Sequence, residues 1–406
     1  MPLGLADSLA VLPGLFWLLL PIAAASGWWL ARHASHQPDR EHTDPSNYVK
    51  GLNYLLDDQT DQALEVLTRL TDAHRETIDS QLILGNLLRR RGETDRAIYV
   101  HHSLLNRANL NDAQRQRALL ELGEDYTAAG LLDRAEELFQ RLLDLPVQQD
   151  YQRVEYQALA LHKLIRVYEQ GKEWPQALAH CDRLEQTTGQ IRRTEAAQYC
   201  CELAQQAYRH QQLDTAMQHL NRAVQRNTAC TRAYLLQAQV AIDQSADHTA
   251  LTYLYAVEHH NPLRLYEALD ALTACHERTA TPQVFIDWLY GAYERYGFSW
   301  LAVHLARYLA AQQDTATALD FITQVLDTQP SFVVLRTWLE LREPPVNDDI
   351  TPRLLRVSQQ LLDATACYQC NQCGFTSKVL HWQCPSCTRW ETLYPLPDLT
   401  CRTPQS

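Results

Sequence analysis

Glycine is scarce in this chain. Only 13 glycines and 17 prolines interrupt 406 residues, which leaves few sites for tight turns and suits helices joined by short connections. Positive charge is also short: 36 Lys and Arg stand against 48 Asp and Glu, a net charge of −12. A general nucleic-acid binder needs a basic footprint for phosphates, so that class is excluded. No Walker A sequence, GxSxG elbow, HExxH pair or Gly-rich phosphate loop occurs, and the chain reads as non-enzymatic. Apolar content is ordinary at 46%, which rules out wholesale disorder and, at this length, allows two or three domains.

The first feature present is an uncharged run from Leu9 to Leu30, with Trp28 and Trp29 at its end. It is long enough to cross about 30 Å of hydrocarbon as a helix, and the tryptophans fall where an interfacial belt belongs. No Lys or Arg precedes the run, as a cleaved signal peptide requires, whereas Arg32 and Arg40 follow it. Residues 1–31 are therefore expected to form a single-pass anchor, with the bulk of the protein on the cytoplasmic side. Isolated cysteines such as Cys181, Cys200, Cys201, Cys230 and Cys275 read as small buried residues in a reducing compartment, which agrees.

From 45 to 343 the chain repeats. Gly51, Tyr54, Ala63, Leu67 and Leu70 return 34 residues later as Gly85, Leu88, Ala97, His101 and Leu104. Gly123, Tyr126, Ala135, Phe139 and Leu142 follow, then a looser set around Ala177 and Cys181, and weaker sets around Ala216, Ala250 and Ala318. This is the spacing of a tetratricopeptide repeat, a helical hairpin with small residues where helices cross and large ones between neighbours. Leu263 to Phe298 reads as helical but off-pattern. Such an array makes a trough lined by the first helix of each pair. Asn86, Arg89 and Arg90 lie on or near that face and are candidates to meet an acidic partner, with a solvated charged face as the alternative. His101-His102 and His259-His260 are not expected to share an ion, because helical neighbours point in different directions. A further helix, residues 350–366, leads from the array into the last segment.

That segment, 367–396, holds Cys370-x-x-Cys373 and Cys384-x-x-Cys387. Two CxxC turns close a tetrahedron of thiolates around one metal ion, Fe or Zn. Gly374 suits a knuckle, where the chain needs positive φ. Cys367 leaves a second option, Cys367 with Cys370, although Gly374 favours Cys370 with Cys373. About thirty residues cannot fold on apolar burial alone, so metal binding is expected to supply the stability. Tyr368, Phe375, Trp382, Trp390 and Tyr394 form either an aromatic shell or a docking face. Redox use of an iron centre remains open at this point.

Anchor, array and Cys module, in that order, resemble the lipopolysaccharide assembly protein B family. The stretches that carry the likeness are LLLPIAAASGWW, YVKGLNYLLDDQTDQALE, LGNLLRRRGETDRAI, LGEDYTAAGLLDRAEELF and CNQCGFTSKVLHWQCPSC. The resemblance implies an all-α repeat protein with rubredoxin-like knuckles, whose ligands fall on Cys370, Cys373, Cys384 and Cys387. It also implies an adaptor at the bacterial inner membrane that helps a membrane AAA+ metalloprotease degrade the UDP-acyl-GlcNAc deacetylase of lipid A synthesis. A scaffold that gathers lipopolysaccharide-synthesis proteins without affecting proteolysis is the alternative, and an iron redox protein the second.

Overall fold

The alanines that the repeat spacing places at helix crossings are those the fold closes around. Ala63, Ala97, Ala135, Ala177, Ala216, Ala250 and Ala318 are all 0% exposed. Four residues on, His101, Phe139, Cys181, Leu220, Leu254 and Ile322 are buried in turn. A methyl group is all that fits where two backbones approach, and the larger side chain fills the gap beside it. The computed structural model describes residues 54, 62–63, 65–66, 78–108, 110–144, 150–312, 314–342 and 350–396. The expected anchor, the repeat positions Gly51, Leu67 and Leu70, and the break at Glu343 to Asn347 lie outside the described residues. No described helix is long and apolar enough to cross a membrane.

The chain divides into two compact units, Met1–Leu131 and Leu132–Ser406. In the first, helices α1 (Ile78–Arg90), α2 (Thr94–Leu105) and α3 (Asp112–Ala128) pack through Leu84, Leu87, Leu88 and Ala97 on one side and Leu82, Leu104 and Ala118 on the other. His101 is fully buried there. Its Nδ1 meets the Asp125 carboxylate and its Nε2 faces the Leu82 carbonyl.

The second unit begins with α4 (Leu132–Asp144) and continues as antiparallel pairs. These are α5 (Asp150–Gln170) with α6 (Trp174–Thr188), α7 (Arg193–Arg209) with α8 (Leu213–Arg226), and α9 (Thr231–Asp243) with α10 (Asp247–His260). A 3₁₀ turn, Pro262–Arg264, then leads into α11 (Leu265–Arg278), which pairs with α12 (Pro282–Tyr296). Next come α13 (Ser299–Ala311) with α14 (Thr315–Thr328), α15 (Phe332–Leu341) and α16 (Ile350–Ala364). The stretch that reads as off-pattern is thus a helical hairpin, but a more loosely paired one than its neighbours. Its crossing position holds Phe285 instead of alanine, fully buried, stacked on His276 at 4.8 Å and edge-on to Tyr308 at 5.0 Å. A ring there replaces the alanine and goes with two helices that approach each other less closely.

One turn recurs inside the pairs. Residues 92, 130, 172, 211, 245 and 280 have positive φ, and the next N–H reaches back to the carbonyl five residues earlier, as in Glu93 to Leu88, Gln212 to Ala207 and Thr281 to His276. This is a Schellman closure of the first helix. Only Gly92 and Gly130 meet it with glycine; Lys172, Gln211, Ser245 and Ala280 take the left-handed conformation instead. That substitution explains how so many helical hairpins are built with so little glycine.

The C-terminal module adds the only sheet among the described residues. Strands β1 (Tyr368–Cys370), β2 (Thr376–Ser377) and β3 (Leu393–Pro395) run antiparallel in the order β2-β1-β3, with Cys370 opposite Leu393. The all-α expectation therefore holds for the array, while the module is a small β-knuckle.

Gly85 gives a test of the tight crossing. A Cβ at this position would come within 2.3 Å of the His101 ring, and that ring is pinned by Asp125 and Leu82 and cannot swing away. Gly85→Ala is expected to destabilise the first unit by about 1–3 kcal/mol, seen as a lower midpoint in thermal circular dichroism. An unchanged melting curve would show that the crossing tolerates the methyl group.

Candidate metal centre and its docking face

The two CxxC turns fold as near copies. In the first, the Gly374 N–H returns to the Cys370 carbonyl and the Cys370 N–H to the Phe375 carbonyl. In the second, Thr388 N–H returns to Cys384 and Cys384 N–H to Arg389. Gly374 has φ +75° and Thr388 φ +57°, so both knuckles use the left-handed region although only one uses glycine. The result brings the Sγ atoms of Cys370, Cys373, Cys384 and Cys387 within 4.8 Å of one another. Cys370 to Cys387 and Cys373 to Cys384 are each 3.7 Å apart. Four sulfurs about 2.3 Å from one tetrahedral centre would sit about 3.8 Å apart, so the cage fits one metal ion.

The thiols are not equivalent. Burial pushes Cys370 up, but the Thr392 hydroxyl, 3.3 Å from its sulfur, and the N–H groups of Cys373 and Gln372 outweigh this and bring it down to about 6. The Phe375 N–H likewise lowers Cys373. Cys384, fully buried, is pushed up to about 11 by burial and would rely on the cation for its ionisation. Cys367 stands apart from the four: it is disulfide-bonded, and its backbone pairs with Ser377 and Leu396. The histidine pairs go elsewhere. His101 is a core residue, and His260 stacks on Tyr234 with centroids 5.2 Å apart.

The module is docked on the array, within the second unit. Cys367, Tyr368, Cys370, Cys384 and Leu393 share one hydrophobic core with Leu265, Leu269 and Leu272 of α11. Around that core, Trp390 meets Trp174 and Tyr199 edge-on, each at 6.1 Å, and donates its indole N–H to Glu169. Gln198 donates to the Glu391 carboxylate at 2.7 Å and Tyr368 donates to Glu267 at 2.6 Å. Arg264 lies under Trp382 at 5.1 Å and Tyr394 at 4.7 Å. Most of these partners lie on first helices of pairs: Glu169 on α5, Gln198 on α7 and Glu267 on α11. The module's aromatic residues are therefore a docking face. The sequence named them but could not choose between that role and an internal shell.

Asn86, Arg89 and Arg90 lie on α1. Arg89 spends its guanidinium on Asp125 at 2.6 Å, Glu121 at 2.7 Å and Asn86 at 2.8 Å, so it ties α1 to α3. Arg90 is exposed.

The metal module matches a known family, and the whole chain has relatives of similar length. Residues 368–395 match the family described as "Rubredoxin metal binding domain". The chain is 30% identical over 391 residues to lipopolysaccharide assembly protein B of Escherichia coli (strain K12), covering 95% of this chain and 98% of that one. It is 29% identical over 397 residues to the protein of the same name from Haemophilus influenzae, with 94% and 98% covered. Among solved structures, a tetratricopeptide repeat protein from Parabacteroides merdae is similar at 14% identity and a TM-score of 0.35, covering 78% of this chain and 98% of that one. YrrB, described as "a TPR protein with an unusual peptide-binding site", is similar at 16% identity and a TM-score of 0.32, covering 49% and 94%.

Cys384→Ser is expected to abolish metal binding and hydrogen-exchange protection of 368–395 while most far-UV helix signal remains; Cys367→Ser should keep one metal per chain. Wholesale loss of helicity in the first, or loss of metal in the second, would contradict the assignment. Burial raises Glu391 above the ordinary carboxylate range, against the pull of Arg264. A raised carboxylate binds more protons folded than unfolded, so stability falls as pH rises from about 4.3 through the raised value. Glu391→Gln keeps an acceptor for Gln198. It should raise the melting midpoint at neutral pH, with the gain vanishing on acidification through that window. A pH-independent gain would refute the cause given.

Proposed function

Because the chain belongs to the lipopolysaccharide assembly protein B family, we propose that it is a membrane-anchored adaptor governing lipopolysaccharide synthesis at the bacterial inner membrane. In this reading it presents the UDP-acyl-GlcNAc deacetylase of the lipid A pathway to a membrane AAA+ metalloprotease, and its own role is recognition rather than catalysis. The observation that carries the reading is the docking of the Cys module across the first helices of successive repeats. Repeat hairpins offer extended surfaces for proteins, and a metal-stiffened module fixed on them makes a composite, preorganised surface, which lowers the ordering cost of binding. The uncharged run from Leu9 to Leu30 supports tethering at the membrane, with the bulk of the chain on the cytoplasmic side.

Depletion of the protein in its own cells is expected to lengthen the half-life of the deacetylase, followed by immunoblot after translation is stopped. An unchanged half-life would sink the adaptor reading. Crosslinking that recovered several lipopolysaccharide-synthesis enzymes but no protease would then favour the scaffold alternative.

A further inference from the structure

Where the module meets the array, the seam is incomplete. A cleft of about 530 Å³ opens between α5, α7 and α9 on one side and residues 380–390 of the module on the other. Its volume is that of a ligand site. Trp382 and Leu380 supply its accessible apolar lining, while Trp174 and Trp390, 4% and 8% exposed, reach it with little surface.

The charge of the cleft opposes that of the protein. Arg166, Lys172, Arg209 and Arg232 line it against only Glu169 and Glu202, in a chain of net charge −12. Both carboxylates are already engaged. Glu169 accepts from the Trp390 indole and from Gln383, and Glu202 pairs with the buried Arg232 at 2.8 Å. Arg166, Lys172 and Arg209 are exposed, and none makes a side-chain hydrogen bond or ion pair among the described residues. Three uncommitted cations around an aromatic floor select a ligand with negative charge and apolar arms. The exposed amides of Gln170 and Gln206 also line the cleft. A primary amide both donates and accepts, which matches a peptide main chain.

We propose that this cleft binds a short acidic peptide segment in which carboxylates alternate with apolar side chains. The carboxylates meet Arg166, Lys172 and Arg209, and the apolar side chains rest on Trp382 and Leu380. The site deepens the adaptor reading by naming the class of segment a client would offer. It rests on that reading only for who owns the peptide.

The test uses full-length, metal-bound protein in detergent and a fluorescein-labelled peptide of alternating Asp or Glu with Leu or Phe, followed by fluorescence anisotropy. Saturable binding is expected. Arg166→Glu combined with Arg209→Glu should weaken it by at least about tenfold, the equivalent of about 1.4 kcal/mol, with circular dichroism showing the variant folded. A peptide with Lys for the acids should not bind, and one with Ser for Leu and Phe should bind much more weakly. Absence of saturable binding, equal affinity for the double variant, or equal binding of the lysine peptide would each overturn the proposal. Deacetylase turnover is not read in this assay, so its outcome and that of the depletion experiment are independent.

Discussion

Arg264 is 1% exposed and makes no ion pair among the described residues. Its charge is held instead by the faces of Trp382 and Tyr394 and by the Glu391 carbonyl, 3.4 Å from Nη2. All three belong to the Cys module. A guanidinium taken out of water without such partners is costly, and cation–π contact in a desolvated site recovers part of that cost. The module and the array are therefore matched through this residue. Glu169 and Glu267 do the same elsewhere: Glu169 accepts from Trp390 and Gln383 of the module, and Glu267 from Tyr368. A slipped docking would strand three charges at once, so these anchors define a single seating more than they add stability.

The metal cage stands behind this seating. Cys370 and Cys384 are members of the same core as Leu265 and Leu269, so the module does not enclose a core of its own and lean on the array; the two share one. A module of this size lacks the apolar area to fold alone, and it answers that in two ways, with four thiolates around one ion and with a borrowed hydrophobic floor. Burial opposes ionisation at both Cys370 and Cys384, and each receives backbone N–H groups from its own turn, Gln372 and Cys373 for the first and Ser386 and Cys387 for the second.

Much of this was legible in the residues. The alanine spacing located the helix crossings, and the two CxxC turns located the cage, because both depend on local periodicity. What escaped depends on contacts far apart in sequence. Phe285 hid a hairpin, since a ring can fill a crossing when His276 and Tyr308 make room for it. Four Schellman turns lack glycine, so turn composition did not announce them. Arg89 read as a candidate for an outside acidic partner or a solvated face because its partners within the chain, Glu121 and Asp125, lie a full repeat away. Cys367 sat at ligand spacing, and only the fold shows that its sulfur is committed to a disulfide.

The cleft beside Trp390 follows from the same economy. One wall is repeat helix and the other is module, and neither wall alone encloses it. Its acids, Glu169 and Glu202, are consumed in fixing Trp390 and Arg232, and the positive field left over comes from residues that do nothing for the docking. Arg166, Lys172 and Arg209 are exposed and keep their charge in water, so together they give the mouth of the cleft a positive field in a chain of net charge −12. Since the second wall exists only while the module is seated, the metal that stiffens the module also sets whether that field has a floor beneath it.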